Sequence, residues 1–255
     1  MKMRQLESEQ YFTTLQRIVQ KVQEKLTQYL DTTNEENVHD VRTSIRRLES
    51  AWRIMPKKLR EKPKIRDFVV AYKELFKTNS QIRDFDVISK RISSNSTILE
   101  LIESKKKKKM ILARRRAEHA SSMRFPRLTV KDISSEKLER RFNKVTYRLV
   151  ERIHMLIPKA VENEKNVSEL HELRKNCKKL RYLLELVDDS TSSDFVNHLK
   201  QVQDSLGAIH DIDITVDFLH KLPRKYKVDM LVKSEYDLRS VLYQKFVQEY
   251  RSFKL

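Results

Sequence analysis

One glycine, Gly207, stands in a chain of 255 residues, with only five prolines beside it. Tight β-hairpins draw on glycine for the positive φ of their turns, so a fold of many short strands has too few turn residues here. Phosphate-cradling loops and dinucleotide-binding turns need several glycines close together and are excluded outright. An all-α chain is the reading left. Its 39% hydrophobic and 35% charged residues suit long amphipathic helices around one sizeable core or two smaller ones.

Apolar periodicity places the helices. Leu15, Val19, Val22, Leu26 and Tyr29 share one face and predict a helix over 5–30. DTTNEEN then offers cap residues, and a second helix over 38–55 stops before Pro56. KKLREKPK reads as a connection, followed by a helix over 63–78. Asn79 and Ser80 offer a cap for a long helix over 82–122, with a weak point at SSNS, 93–96. FPRLTVKDISS, 125–135, reads as a linker. Beyond it, helices are predicted over 136–157, ended by Pro158, then 168–187, 193–206 and 211–252, the last with a break at Pro223.

The second series repeats the first in sequence as well as in plan. VHDVRTSIRRLESAWRIM at 38–55 aligns without a gap on LHELRKNCKKLRYLLELV at 170–187. His39 falls on His171, Arg42 on Arg174, Arg46 on Lys178 and Arg47 on Lys179. Downstream, IRDFDV at 82–87 aligns on IHDIDI at 209–214, setting Asp84 on Asp211 and Asp86 on Asp213. The offsets, 132 and 127, differ by a loop's worth of residues. The expected architecture is a tandem duplication of two antiparallel four-helix bundles with approximate two-fold symmetry, divided as 1–125 and 126–255.

Both halves are basic: 29 basic against 16 acidic residues in the first, 25 against 20 in the second, giving the net +18 of the whole. Such an excess repels itself and points to a polyanionic partner: nucleic acid, an anionic surface or polyphosphate. Wound at 100° per residue, Val38, Val41, Ile45, Leu48, Trp52 and Met55 form a core stripe. His39, Arg42, Arg46 and Arg53 fall in a sector of about 60° beside it. The second copy sets Leu170, Leu173, Cys177, Leu180, Leu184 and Val187 as core, flanked by His171, Arg174, Lys178 and Arg181 with Lys175 and Lys179 alongside. Like charges at i,i+4 repel, so the same stripe occurring twice is better read as a binding face than as a solvated one. Arg17, Lys21 and Lys25 in the first half, and Arg141, Lys144, Arg148 and Arg152 in the second, supply a secondary basic lining. KKKKK at 105–109, by contrast, reads as a solvated helix face or an auxiliary patch, and Trp52 and Cys177 as core residues.

The acids Asp84, Asp86, Asp211 and Asp213 lie among apolar neighbours. Asp84 and Asp211 are expected to hold an Arg or His of the facing helix by charge-assisted hydrogen bonds, with Asp86 and Asp213 as further structural acids, rather than to do chemistry. Catalysis would need an activated nucleophile, a metal cluster or a phosphate loop. None is visible, so no catalytic residue, cofactor or metal ligand is assigned. The one cysteine has no internal disulfide partner and no CxxC motif occurs, which fits a reducing, cytoplasmic setting. No run of about 18 apolar residues is present, and no membrane partner is expected.

The paired VHDVR…RR and LHELR…KKLRYLLEL segments, each followed by an (R/H)DxD(V/I) segment, resemble the CHAD family, the conserved histidine α-helical domain. The resemblance spans nearly the whole chain. It implies a duplicated pair of four-helix bundles that bind inorganic polyphosphate through basic residues of a central groove or pore, and association with polyphosphate granules. It carries that role onto His39, Arg42, Arg46, Arg47, His171, Arg174, Lys178, Lys179 and Arg181. Here Glu49 and Ser50 stand where the second copy has Arg181 and Tyr182, so the first copy offers a less continuous row. Some relatives carry a fused triphosphate-tunnel domain with an ExExK strand motif. No such motif occurs here, and that hydrolase activity is not transferred. Two other readings stay open on charge alone: a nucleic-acid-binding helical protein, and an enzyme that transfers phosphate or hydrolyses polyphosphate.

Overall fold

The computed structural model describes residues 7–187 and 194–251. Every regular element among them is helical. The α-helices in chain order are α1 (Ser8–Asp31), α2 (Glu35–Ile54), the one-turn α3 (Lys57–Arg60), α4 (Pro63–Arg91), α5 (Ser96–Ser122), α6 (Ser135–Glu162), α7 (Val167–Leu184), α8 (Asp194–His220) and α9 (Asp229–Arg251), with short 3-10 turns at Val130–Asp132 and Arg224–Tyr226. Four long helices thus precede the 125–135 linker and four follow it. The first residues of the helix expected over 5–30, residue 193 and residue 252 lie outside the described residues.

The caps explain several boundaries. Asn34, from the DTTNEEN stretch, accepts a hydrogen bond from the Asn37 amide at 2.8 Å and starts α2. Asn95 accepts from the Ile98 amide at 3.1 Å and starts α5, so the chain breaks at the SSNS stretch. KKLR, expected as plain connection, winds one turn as α3 and buries Leu59.

Three expected boundaries are corrected. Asn79 and Ser80 do not cap a new helix, because α4 runs straight through them. Asn79 is buried and accepts a hydrogen bond from the buried Tyr29 hydroxyl at 3.0 Å, while the Ser80 hydroxyl donates back to the Phe76 carbonyl. Pro158 does not end α6, which continues to Glu162. Fully buried Ala160 anchors the last turn, and the Asn166 side chain donates to the Lys159 carbonyl. The pause expected at 206–211 is absent, because buried Leu206 and Ile209 carry α8 across Gly207.

The chain packs as two compact units. The first takes the described residues of Met1–Arg83, Ser104–Arg148 and Tyr182–Asp189; the second takes those of Asp84–Glu103, Leu149–Arg181 and Ser190–Leu255. The sequence halves describe a repeat along the chain, whereas these units describe packing, and α4, α5, α6 and α7 contribute to both.

In the first unit, α1 and α2 run antiparallel: the Tyr11 hydroxyl donates to the Ala51 carbonyl at 2.8 Å, and Lys25 meets Asp40 at 2.7 Å. Tyr29 joins α1 to α4 through Asn79. Arg116 of α5 donates to the Glu74 carbonyl of α4, and Arg114 to the Leu30 carbonyl at the end of α1. Leu15, Val22, Leu26, Val41, Ile45, Leu48, Phe68, Tyr72 and Leu75 fill the interior. The second unit centres on Ile88, Ile92, Ile98, Ile102, Ile212, Val216, Leu219 and Val232. Its antiparallel α8 and α9 are pinned by Arg239 to Asp213 and by Ser205 to Glu249.

Candidate functional site

Helix α2 carries its core stripe as the periodicity requires: Val38, Val41, Ile45, Leu48 and Met55 are buried. Trp52 is only partly buried, and its ring is used from outside. The Lys73 ammonium lies 4.1 Å from the ring centroid and the Arg60 guanidinium 5.5 Å from it. Earlier on α2, Arg42 and Arg46 both stack on Phe76 of α4, at 5.6 and 5.2 Å. Cation–π contacts of this kind are worth about 0.5–2 kcal/mol each and hold a planar guanidinium in one orientation. Phe76 and Trp52 therefore act as platforms that present cations.

Other elements add to the row. Arg141 of α6 donates through Nε to the Arg53 carbonyl at 2.7 Å. Arg83 of α4 pairs with Glu35 and stands close to His39. Burial first, then the neighbouring Arg42, Arg83 and Arg46, hold the His39 imidazole below its ordinary pKa, with Asp40 opposing. Lys73 is depressed by burial, with Arg53 and Arg60 adding to it and Glu49 opposing. Arg53 is depressed by burial, and Arg141 by burial and then by Arg60 and Arg148. The face concentrates cations where solvent reaches them poorly.

In the second unit, His171 of α7 faces His210 of α8. Their ring centroids are 4.7 Å apart and their Nδ1 atoms 3.2 Å apart, so one Nδ1 donates and the other accepts. Burial first, then Arg174, His171 and Lys178, pushes His210 down to about 3. His171 is also lowered, by burial and then by Arg174 and Lys175, against Glu172 and Asp213. Lys178, Lys179 and Arg181 are half-buried along α7. Lys175 is held by Glu172 one turn back.

The aligned positions are related in each unit. His39 falls on His171, and Arg83 falls on His210; His171 touches His210, while Arg83 acts on His39 through its charge.

The remaining candidates divide. Arg47 is exposed and 3.8 Å from Glu185. Lys21 lies 3.6 Å from Glu24, and Lys25 is taken up by Asp40. Arg17, Lys144, Arg148 and Arg152 are exposed. Among the acids, Asp213 holds buried Arg239 at 2.6 Å, and Arg239 also donates to the Glu164 carbonyl at 2.9 Å. Asp86 is buried, while Asp84 and Asp211 are half-buried.

Sequence reasoning missed Arg60, Lys73, Arg83, His210 and Arg239. Arg83 and His210 occupy one column of the aligned IRDFDV and IHDIDI segments, which was the available signal. The other three come from elements with no local motif. Among the described residues, no group of three or more His, Cys, Asp or Glu is placed to hold a metal ion. None of the described helices is long and apolar enough to cross a membrane.

An all-α protein with a histidine- and arginine-bearing helix face in each unit is thereby defined. The sequence profile of the CHAD domain matches residues 13–220, and the chain belongs to that family. Among solved structures, it is similar to the crystal structure of the CHAD domain from the plant Ricinus communis. The TM-score is 0.56 at 19% identity, over 95% of this chain and 89% of that one. No curated protein is matched.

Proposed function

We propose that this protein binds inorganic polyphosphate on the α2 and α7 faces and acts as a binder rather than a catalyst, with attachment to polyphosphate granules as the consequence. The observation that carries the reading is the repeated face itself. In both units a histidine, an arginine three residues on and further cations share one face, and burial first, then these cations, depresses the imidazoles. Polyphosphate is a flexible anion with roughly one charge per phosphate. Guanidinium forks suit its paired oxygens, lysine supplies point charges, and histidine gains a proton beside it.

Nucleic acid is the second reading. Single-strand binders offer open aromatic rings on which bases stack. Here the rings of the α2 face, Phe76 and Trp52, are covered by cations, which favours an anion without bases.

Charge reversal tests the proposal. Arg42→Glu with Arg46→Glu, or Arg174→Glu with Lys178→Glu, removes two charged contacts at about 1.5–3 kcal/mol each, so affinity for long-chain polyphosphate falls roughly 100-fold or more. Helicity by circular dichroism stays unchanged. At about six contacted phosphates the log affinity against log salt slope is near −4. Unchanged affinity in both double variants, or duplex DNA binding as tightly as polyphosphate with the same slope, overturns the reading.

A further inference from the structure

The lysine run of α5 belongs to neither face described above. Arg114 and Arg116 fix α5 to α1 and α4, and Ala113, Ala117 and Ala120 are fully buried beneath it. Lys105, Lys107, Lys108 and Arg115 are left exposed along about 15 Å of helix. Arg116 reaches Glu74 and Thr78 of α4, which lie roughly 160° around that helix from Phe76, where Arg42 and Arg46 stack. Within the first unit the α5 row therefore lies on the far side of α4 from the α2 face.

We propose that this row is a second polyphosphate site, so that one molecule holds two strands and cross-links them. The inference rests on the polyphosphate reading of the α2 and α7 faces and deepens it. Charge complementarity argues for the occupant: Lys105 stands at i,i+3 from Lys108 and i,i+4 from Lys109, like charges that repel, Arg115 continues the Lys108 sector two turns on, and a bound polyanion relieves that repulsion. A bilayer fits poorly. Interfacial helices offer a broad apolar face, whereas α5 spends its alanine face on the core and exposes Ile111 and Leu112 amid lysines.

The test compares three proteins with sodium polyphosphate, long-chain and tripolyphosphate, by fluorescence anisotropy and light scattering. One is wild type. The second carries Lys107→Glu, Lys108→Glu and Arg115→Glu. The third is a control of equal charge loss, Lys159→Glu, Lys165→Glu and Lys233→Glu, also at exposed positions. Wild type and control form large scattering particles with long chains and none with tripolyphosphate. The α5 variant keeps its anisotropy affinity within about threefold while scattering falls about tenfold or more. Scattering equal to wild type in the α5 variant, or equal loss in the control, refutes the second site. So does a loss of binding to anionic vesicles with scattering unchanged, which would assign the row to lipid. Absence of any polyphosphate binding by wild type, seen in the anisotropy, defeats the parent reading instead.

Discussion

Replacing Asp213 with alanine strips the carboxylate that holds Arg239. The two meet at 2.6 Å, with side-chain exposures of 17% for the acid and 6% for the arginine, so little water can replace the lost partner. Removing one member of a buried ion pair typically destabilises by about 3–5 kcal/mol. Arg239 keeps its hydrogen bond to the Glu164 carbonyl, which sets the expectation at the lower end, about 3 kcal/mol. For a chain of this size each kcal/mol moves the melting temperature by about 2–4 °C, so Asp213→Ala should melt roughly 6–12 °C below wild type. Asp213→Asn keeps an acceptor without the charge and should lose about half as much, since charged hydrogen bonds are worth about twice neutral ones. The decisive variant removes both partners. Asp213→Ala with Arg239→Leu leaves no stranded charge, and apolar replacement of a buried pair is often neutral. It should recover most of the loss. Thermal melts followed by circular dichroism read all three. A melting temperature for Asp213→Ala within about 2 °C of wild type, or simple additivity in the double variant, would show that the pair does not hold α8 to α9.

Two further outcomes follow from buried groups. His210 is held near 3, well below its ordinary 6.5, so the unfolded chain takes up a proton that the folded chain refuses. Its contribution is intact above about pH 6.5 and is lost as pH falls from there toward 3, and melts between pH 7.5 and 5 should show a smaller pH dependence in His210→Leu than in wild type. Asn79→Ala leaves the fully buried Tyr29 hydroxyl without its acceptor and should destabilise by about 1–3 kcal/mol, measured by urea denaturation; a loss below about 0.5 kcal/mol would show that the hydroxyl finds another partner.

What could be read from the sequence follows how local the cause is. Helices α2 and α7 were legible because a core stripe and a basic row alternate with helical period, and burial in the fold obeys the same period. Asn79 misled because asparagine is a good cap in isolation, whereas here its side chain is spent on Tyr29, fifty residues away. Pro158 and Gly207 misled for the same reason: burial of Ala160, Leu206 and Ile209 outweighs the local preference to break. The basic row was legible along α2 and α7, but its supports were not. Nothing near Lys73 announces that it will sit on Trp52, and nothing near Arg239 announces Asp213. These partners are fixed by tertiary packing.

The shifts of the candidate faces share one sign, and that has a measurable consequence. His39, His171, His210, Lys73, Arg53 and Arg141 are all depressed, burial being the largest cause in each, with neighbouring cations adding at all but Arg53. Each group thus carries its charge less readily than it would in the unfolded chain. A polyanion seated on these faces supplies negative potential at that place and favours the charged forms, which changes the protonation of the histidines alone near neutral pH. Binding then takes up protons at the histidines, and the affinity of polyphosphate should rise as pH falls below 6.5. Linkage turns this into stability. A ligand at about 100 times its dissociation constant stabilises by about 2.7 kcal/mol, and tighter binding in acid enlarges that gain as the free protein weakens. The rise in melting temperature produced by a fixed polyphosphate concentration should therefore be larger at pH 5.5 than at pH 7.5. It should shrink at both pH values as salt is raised. In a His171→Asn, His210→Leu variant the gain should depend less on pH. A ligand-induced shift that is the same at both pH values in wild type would mean that the histidines do not face the bound anion.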